Sequence, residues 1–145
     1  MVQTQETDAT AFEEGPITPT RIGLAAGVMD VLIFAVVGYI ALENVAIGGI
    51  SGLLVGIGVF LFLPIFMLAD EDGELEDLAP ENDDTPLREF HRLAGGFAFS
   101  AAGIILLATG FAEMEFLVGL PAALVAGSVV YLGAGFVMPN AQLPN

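Results

Sequence analysis

The sequence predicts an all-α integral membrane protein whose four transmembrane helices form two antiparallel hairpins. Three observations carry that prediction. First, 55% of the 145 residues are hydrophobic and the mean hydropathy is +0.79, above the roughly 45–50% apolar content of soluble domains. Second, the apolar residues gather in two blocks, 22–69 and 93–138, that are nearly free of charge; at about 20 residues per crossing each block spans a bilayer twice. Third, the blocks are separated by an acidic strap, residues 70–89, which holds ten carboxylates and one arginine. A soluble four-helix bundle does not fit, because a surface helix needs a polar face and these runs have none.

Residues 1–20 are polar, with Glu6, Asp8, Glu13 and Glu14 and no basic residue. A cleavable leader starts with a positive region and a short apolar core, so this segment is expected to be a disordered acidic tail instead. Thr20 is the expected N-cap of the first helix, with Pro19 discouraging an earlier start. The first span is placed at 22–42, its one charge being Asp30. Glu43-Asn44 makes a tight polar turn, which forces the second span, 45–69, to run back beside the first.

Within the strap, Asp84-Thr85-Pro86 has the form of a helix start: a capping residue, then proline in the first turn, where its missing N–H costs nothing. Leu87, Phe90 and Ala94 then lie on one stripe. The third span is placed at 93–112, after the rest of the acidic loop segment 70–91. Glu113-Met114-Glu115 is its turn, 116–138 is the fourth span, and 139–145 is a short tail with a proline at 144.

Arg21 precedes the first span, and Arg88 and Arg92 precede or open the third. Four crossings put these positions on one side, so the positive-inside rule predicts a cell-membrane protein with both termini and the strap in the cytoplasm.

Sliding the chain by 71 residues aligns Arg21 with Arg92, Gly48 with Gly119, Leu53 with Leu124, Gly56 with Gly127, Leu61 with Leu132 and Met67 with Met138. At the same offset Gly48, Gly52 and Gly56 match Gly119, Ala123 and Gly127. Small residues four apart share a helical face and let two backbones approach closely, a main source of packing energy between helices in lipid. The matches fit a tandem duplication of parallel repeats about an axis along the membrane normal. They also fit chance, since Gly, Ala and Leu dominate every span.

The composition is lopsided: 18 Asp and Glu against three Arg, no Lys and one His, for a net charge of −15. Such charge argues against nucleic acid as a partner, because phosphate binding needs a basic face. Zero cysteines exclude disulfides and thiolate chemistry. In its acid-rich, lysine-free composition the chain resembles small multi-pass membrane proteins of halophilic archaea. That resemblance implies a protein kept dispersed by acidic surface charge in high salt.

Candidate chemistry is sparse. Asp30 is the one ionisable side chain well inside a span, about 12 Å along the helix from Ile22; an acid at such depth costs roughly 2.5–3.5 kcal/mol on insertion scales and faces protein or water. Its face-mates Gly23, Ala26, Gly27, Ile33, Phe34 and Val37 indicate packing against another helix. Asp30 with the hydroxyls of Ser51 or Ser100 is a candidate ion or proton site; the competing reading is an acid kept neutral as interhelical glue. Arg88, His91 and Arg92 form the one basic cluster, suited to an anionic lipid headgroup or to the strap's acids Asp84 and Glu89. A lone His has no partners at metal-ligand spacing, and Asp70-Glu71-Asp72-Gly73 only imitates the start of a calcium loop. Ser51, Ser100 and Ser128 have no base nearby, so neither an enzyme nor a cofactor is expected.

The function expected from these features is structural or accessory: a small protein that packs through its small-residue faces into a homo-oligomer or larger membrane complex, surrounded by lipid. The alternative is a small ion or proton transporter or channel built on Asp30.

Overall fold

A computed structural model describes residues 17–72 and 85–137, with side chains over 17–67 and 90–136. Every regular element described is helical: α1 (Pro19–Leu42), α2 (Val45–Asp72), α3 (Thr85–Phe111) and α4 (Phe116–Val137). Each contains a segment long and apolar enough to cross a membrane. The all-α, four-helix architecture read from hydropathy is therefore the architecture observed.

The first helix starts earlier than expected. Thr18, not Thr20, is the N-cap: its backbone is extended and its Oγ1 accepts a hydrogen bond from Arg21 N–H at 3.3 Å. Pro19 occupies the first turn, where proline initiates a helix rather than blocking one. At the other end Glu43 adopts a left-handed conformation, φ 51°, which stops α1. Asn44 then turns the chain, its N–H donating to Gly38 O at 2.9 Å. Its Oδ1 accepts from Ala46 and Ile47 N–H at 3.1 and 3.2 Å and so caps α2. The second hairpin repeats the device with Glu113 at φ 54° and Met114 N–H donating to Thr109 O at 3.0 Å.

One further boundary differs from the expected spans. α2 continues through Asp72, three residues into the strap, because a helix leaving lipid keeps its own backbone hydrogen bonds. α3 begins at Thr85 with Pro86 in its first turn, as the sequence indicates. The Asp84 cap, the body of the strap, the calcium-loop mimic beyond Asp72, residues 1–16 of the N-terminal tail and the C-terminal tail fall outside the described residues, as does the Arg88 side chain.

The helices pack mainly as sequence neighbours: α1 on α2, α2 on α3, and α3 on α4, with α1 touching α3 only slightly. In the first hairpin Gly48, Gly52 and Gly56 all face α1. Methyl groups added at Gly48, Gly52 and Gly56 would meet Phe34 O, Asp30 O and Gly27 O in turn. In the second hairpin Gly119 meets Thr109 and Leu106, Ala123 is buried at 1% exposure, and Gly127 lies against Ala98 and Ala102. The small-residue faces thus bind each hairpin together within one chain, and these six residues are not free to meet another.

The two hairpins share their internal register. The pair Gly27·Gly56 becomes Ala98·Gly127 on adding 71 to each number, and Gly38·Gly48 becomes Thr109·Gly119. α2 and α4 start at Val45 and Phe116, again 71 apart (116 − 45 = 71).

Between hairpins the seam is also tight. Gly58 and Gly103 bring α2 and α3 together, a methyl on Gly103 standing 2.5 Å from Ser51 O. Leu54 packs on the cluster Ala102, Leu106 and Ala123. At the end of this seam marked by the N-terminus of α3, Phe62 stacks on Phe97 (centroids 5.3 Å apart, planes 12° apart) and Phe66 meets both edge-on. Pro64 interrupts α2 and removes a hydrogen bond to the Phe60 carbonyl. Gly23 lies directly against its ring, a methyl there standing 3.1 Å from Pro64 Cγ.

Candidate functional site

Asp30 sits at the middle of α1, 11 residues from Pro19 and 12 from Leu42, so about 17 Å from either end at 1.5 Å per residue. Its backbone rests on α2: a methyl at Gly52 would stand 2.9 Å from Asp30 O. The side chain is half-buried and makes no hydrogen bond or ion pair among the described residues.

Where Asp30 points follows from helical geometry. The line of α1 that rests on α2 runs through Gly23, Gly27, Phe34 and Gly38. At 100° per residue Asp30 lies about 60° to one side of that line and Val31 about 40° to the other. The Val31 side carries an open apolar groove of about 180 Å³, lined by Leu24, Val28 and Val31 from α1 and Leu53, Ile57 and Phe60 from α2. The opposite side of α2 presents Ser51, Val55 and Gly58 to α3. Asp30 therefore shares a side with Ser51, in the angle that α1 and α3 make about α2.

Ser51 is fully buried, and its hydroxyl has no hydrogen-bond partner. The Ser100 hydroxyl is buried and unpartnered too, but it faces Gly58. Gly58 lies seven residues beyond Ser51, about 10 Å along α2. Ser51 and Ser100 thus face different levels of the α2·α3 seam, and neither hydroxyl is hydrogen-bonded to Asp30. Elsewhere in the spans hydroxyls bond back into their own helix: Thr109 Oγ1 donates to Leu106 O and Ser128 Oγ to Leu124 O, both at 2.8 Å.

The basic cluster is rearranged as well. His91 Nδ1 and Tyr131 OH share a hydrogen bond of 2.6 Å, and their rings stack at 6.1 Å. Phe90 meets the imidazole edge-on. His91 is therefore a tie between α3 and α4. Sequence reasoning missed Tyr131, and the antiparallel pairing of the second hairpin is the signal that places it opposite His91. Among the described residues no three His, Asp or Glu side chains gather to hold a metal ion.

No protein-family model, curated protein or solved structure matches this chain. Its class rests on its own architecture: a small four-helix protein of multi-pass membrane type.

Proposed function

We propose that this chain is a structural or accessory membrane protein, without catalysis of its own, that assembles into a homo-oligomer or a larger membrane complex. The observation that carries this reading is the bareness of the outer helices. Only 11% of the α1 span and 17% of the α4 span is buried inside the chain, against 39% for α2. Tyr39 is 68% and Phe136 is 90% exposed. With the small-residue faces spent inside the hairpins, the docking faces are these broader apolar surfaces of α1 and α4. Close packing on a partner helix gives such surfaces van der Waals contacts that fluid lipid supplies less well.

The positions of Arg21 and Arg92 support an orientation with both termini in the cytoplasm. The net charge of −15 supports a high-salt setting, in which self-repulsion is screened. The test is the mass and composition of the tagged full-length protein, solubilised gently at high salt. A stoichiometric second protein or a defined homo-oligomer is expected. A homogeneous monomer without companions overturns the reading.

A further inference from the structure

We propose that a second copy of this chain packs its α1 against α4, repeating between copies the seam that joins α2 to α3 within one; this rests on the accessory reading above and names its partner.

The internal seam is the template. A methyl at Gly103 of α3 would stand 2.5 Å from Ser51 O and 2.7 Å from Val55 Cγ2 of α2. One at Gly96 would stand 2.9 Å from Gly58 O and 3.1 Å from Phe62 Cβ. The two hairpins share one register at a shift of 71, so this seam has a counterpart on the outside of the chain. Adding 71 to Ser51, Val55, Gly58 and Phe62 gives Ala122, Ala126, Val129 and Gly133 on α4. Subtracting 71 from Gly96, Ser100 and Gly103 gives Ala25, Met29 and Leu32 on α1.

Both counterpart faces are bare. Met29, Leu32 and Val129 are 54%, 56% and 63% exposed, and nothing lies within 4 Å of a methyl placed on Gly133. Their sizes also answer one another. Within the chain Gly103 receives Ser51 and Val55; between copies Leu32 meets Ala122 and Ala126, so large and small residues change sides. Phe62 on Gly96 likewise becomes Gly133 on Ala25. Ser100 beside Gly58 becomes the bulkier Met29 beside Val129, which sets these helices wider apart than α2 and α3, since interaxial distance follows the side chains at the contact.

With four alternating crossings α1 and α3 run in the same direction, as do α2 and α4, so the repeated seam leaves every copy in one orientation. The two faces are different surfaces, so the contact is heterologous and copies join head to tail, into a ring where the rotation closes. A foreign helix has no tie to the 71-residue register, whereas a second copy carries it.

The experiment is disulfide cross-linking of the full-length protein, whose lack of cysteines lets introduced ones report alone. Differently tagged Leu32→Cys and Ala126→Cys chains are co-expressed in one membrane and oxidised; a disulfide needs Cβ atoms about 3.5–4.5 Å apart. A mixed dimer is expected, with neither chain linking to itself. Ile33→Cys is expected to give no link with Ala126→Cys, because its counterpart Ile104 is 55% exposed even on α3. No mixed dimer, or self-linked dimers in equal yield, overturn the proposal.

Gly133→Trp is the second variant: its ring fills space that is open in one chain but stands where α1 of the next copy sits. Its oligomer is expected to fall to monomers with helix content unchanged, and an unchanged mass overturns the proposal. A wild-type protein that assembles while Leu32→Cys and Ala126→Cys fail to link overturns this arrangement and leaves the accessory reading standing; a lone monomer overturns both.

Discussion

Gly27 and Gly56 meet backbone to backbone: a methyl group at Gly27 would stand 2.6 Å from the Gly56 carbonyl oxygen. No real Cβ tolerates that distance, so any side chain at either position must push α1 and α2 apart. Gly27→Ala and Gly56→Ala are each expected to lose about 1–3 kcal/mol, the range for overpacking a well-filled interior. Gly49, on the same helix, has nothing within 4 Å of where its Cβ would be. Gly49→Ala should therefore gain up to about 1 kcal/mol, by shedding the backbone entropy of glycine. Unfolding titrations in mixed micelles measure all three. Equal effects at Gly27 and Gly49 would mean that the close approach is not what stabilises the hairpin.

The two turns make a separate prediction. Glu43 and Glu113 hold left-handed backbones, at φ 51° and 54°, where a Cβ crowds the adjacent carbonyl and costs roughly 1–2 kcal/mol. Glycine removes that crowding but adds entropy to the unfolded chain. Glu43→Gly and Glu113→Gly should each come out stabilising by a few tenths of a kcal/mol to about 1 kcal/mol. Alanine at the same positions should leave stability nearly unchanged. The unfolding midpoints of the four variants separate backbone strain from loss of the carboxylate.

His91 and Tyr131 tie α3 to α4 outside the glycine face, which makes them suited to a double-mutant cycle. His91→Phe and Tyr131→Phe each retain a ring for stacking while removing the 2.6 Å hydrogen bond. Interhelical hydrogen bonds in membranes average about 0.6 kcal/mol, with values near 1–2 in model peptides. A coupling energy of about 0.5–1.5 kcal/mol is expected. A coupling of zero would reduce the pair to ring stacking alone.

Much of this architecture was legible in the residues, and the parts that were not share a cause. Hydropathy locates the four helices because lipid leaves the backbone no alternative to internal hydrogen bonding. Thr85-Pro86 and Glu43-Asn44 were readable as boundaries because capping and turning are local. Thr18 is hidden as a cap because a proline beside it argues against an earlier helix start, although proline suits the first turn. The extension of α2 to Asp72 was missed because charge marks where lipid ends, not where a helix ends. The spacing of Gly48, Gly52 and Gly56 named a packing face but not its partner. That partner, Gly27 with Phe34 and Gly38, follows only from the register of the hairpin. Asp30, Ser51 and Ser100 belong together by chemistry; the level at which each hydroxyl is buried depends on how three helices stack.

Ser51 gives the sharpest test of whether a buried group is there for stability. A fully buried hydroxyl with no partner is expected to cost about 1–3 kcal/mol relative to an apolar group of similar size. Ser51→Ala should therefore unfold later than wild type by about 1 kcal/mol or more, as unfolding titrations in mixed micelles measure. A Ser51→Ala protein less stable than wild type would show instead that the hydroxyl bonds within the protein, as Thr109 and Ser128 do.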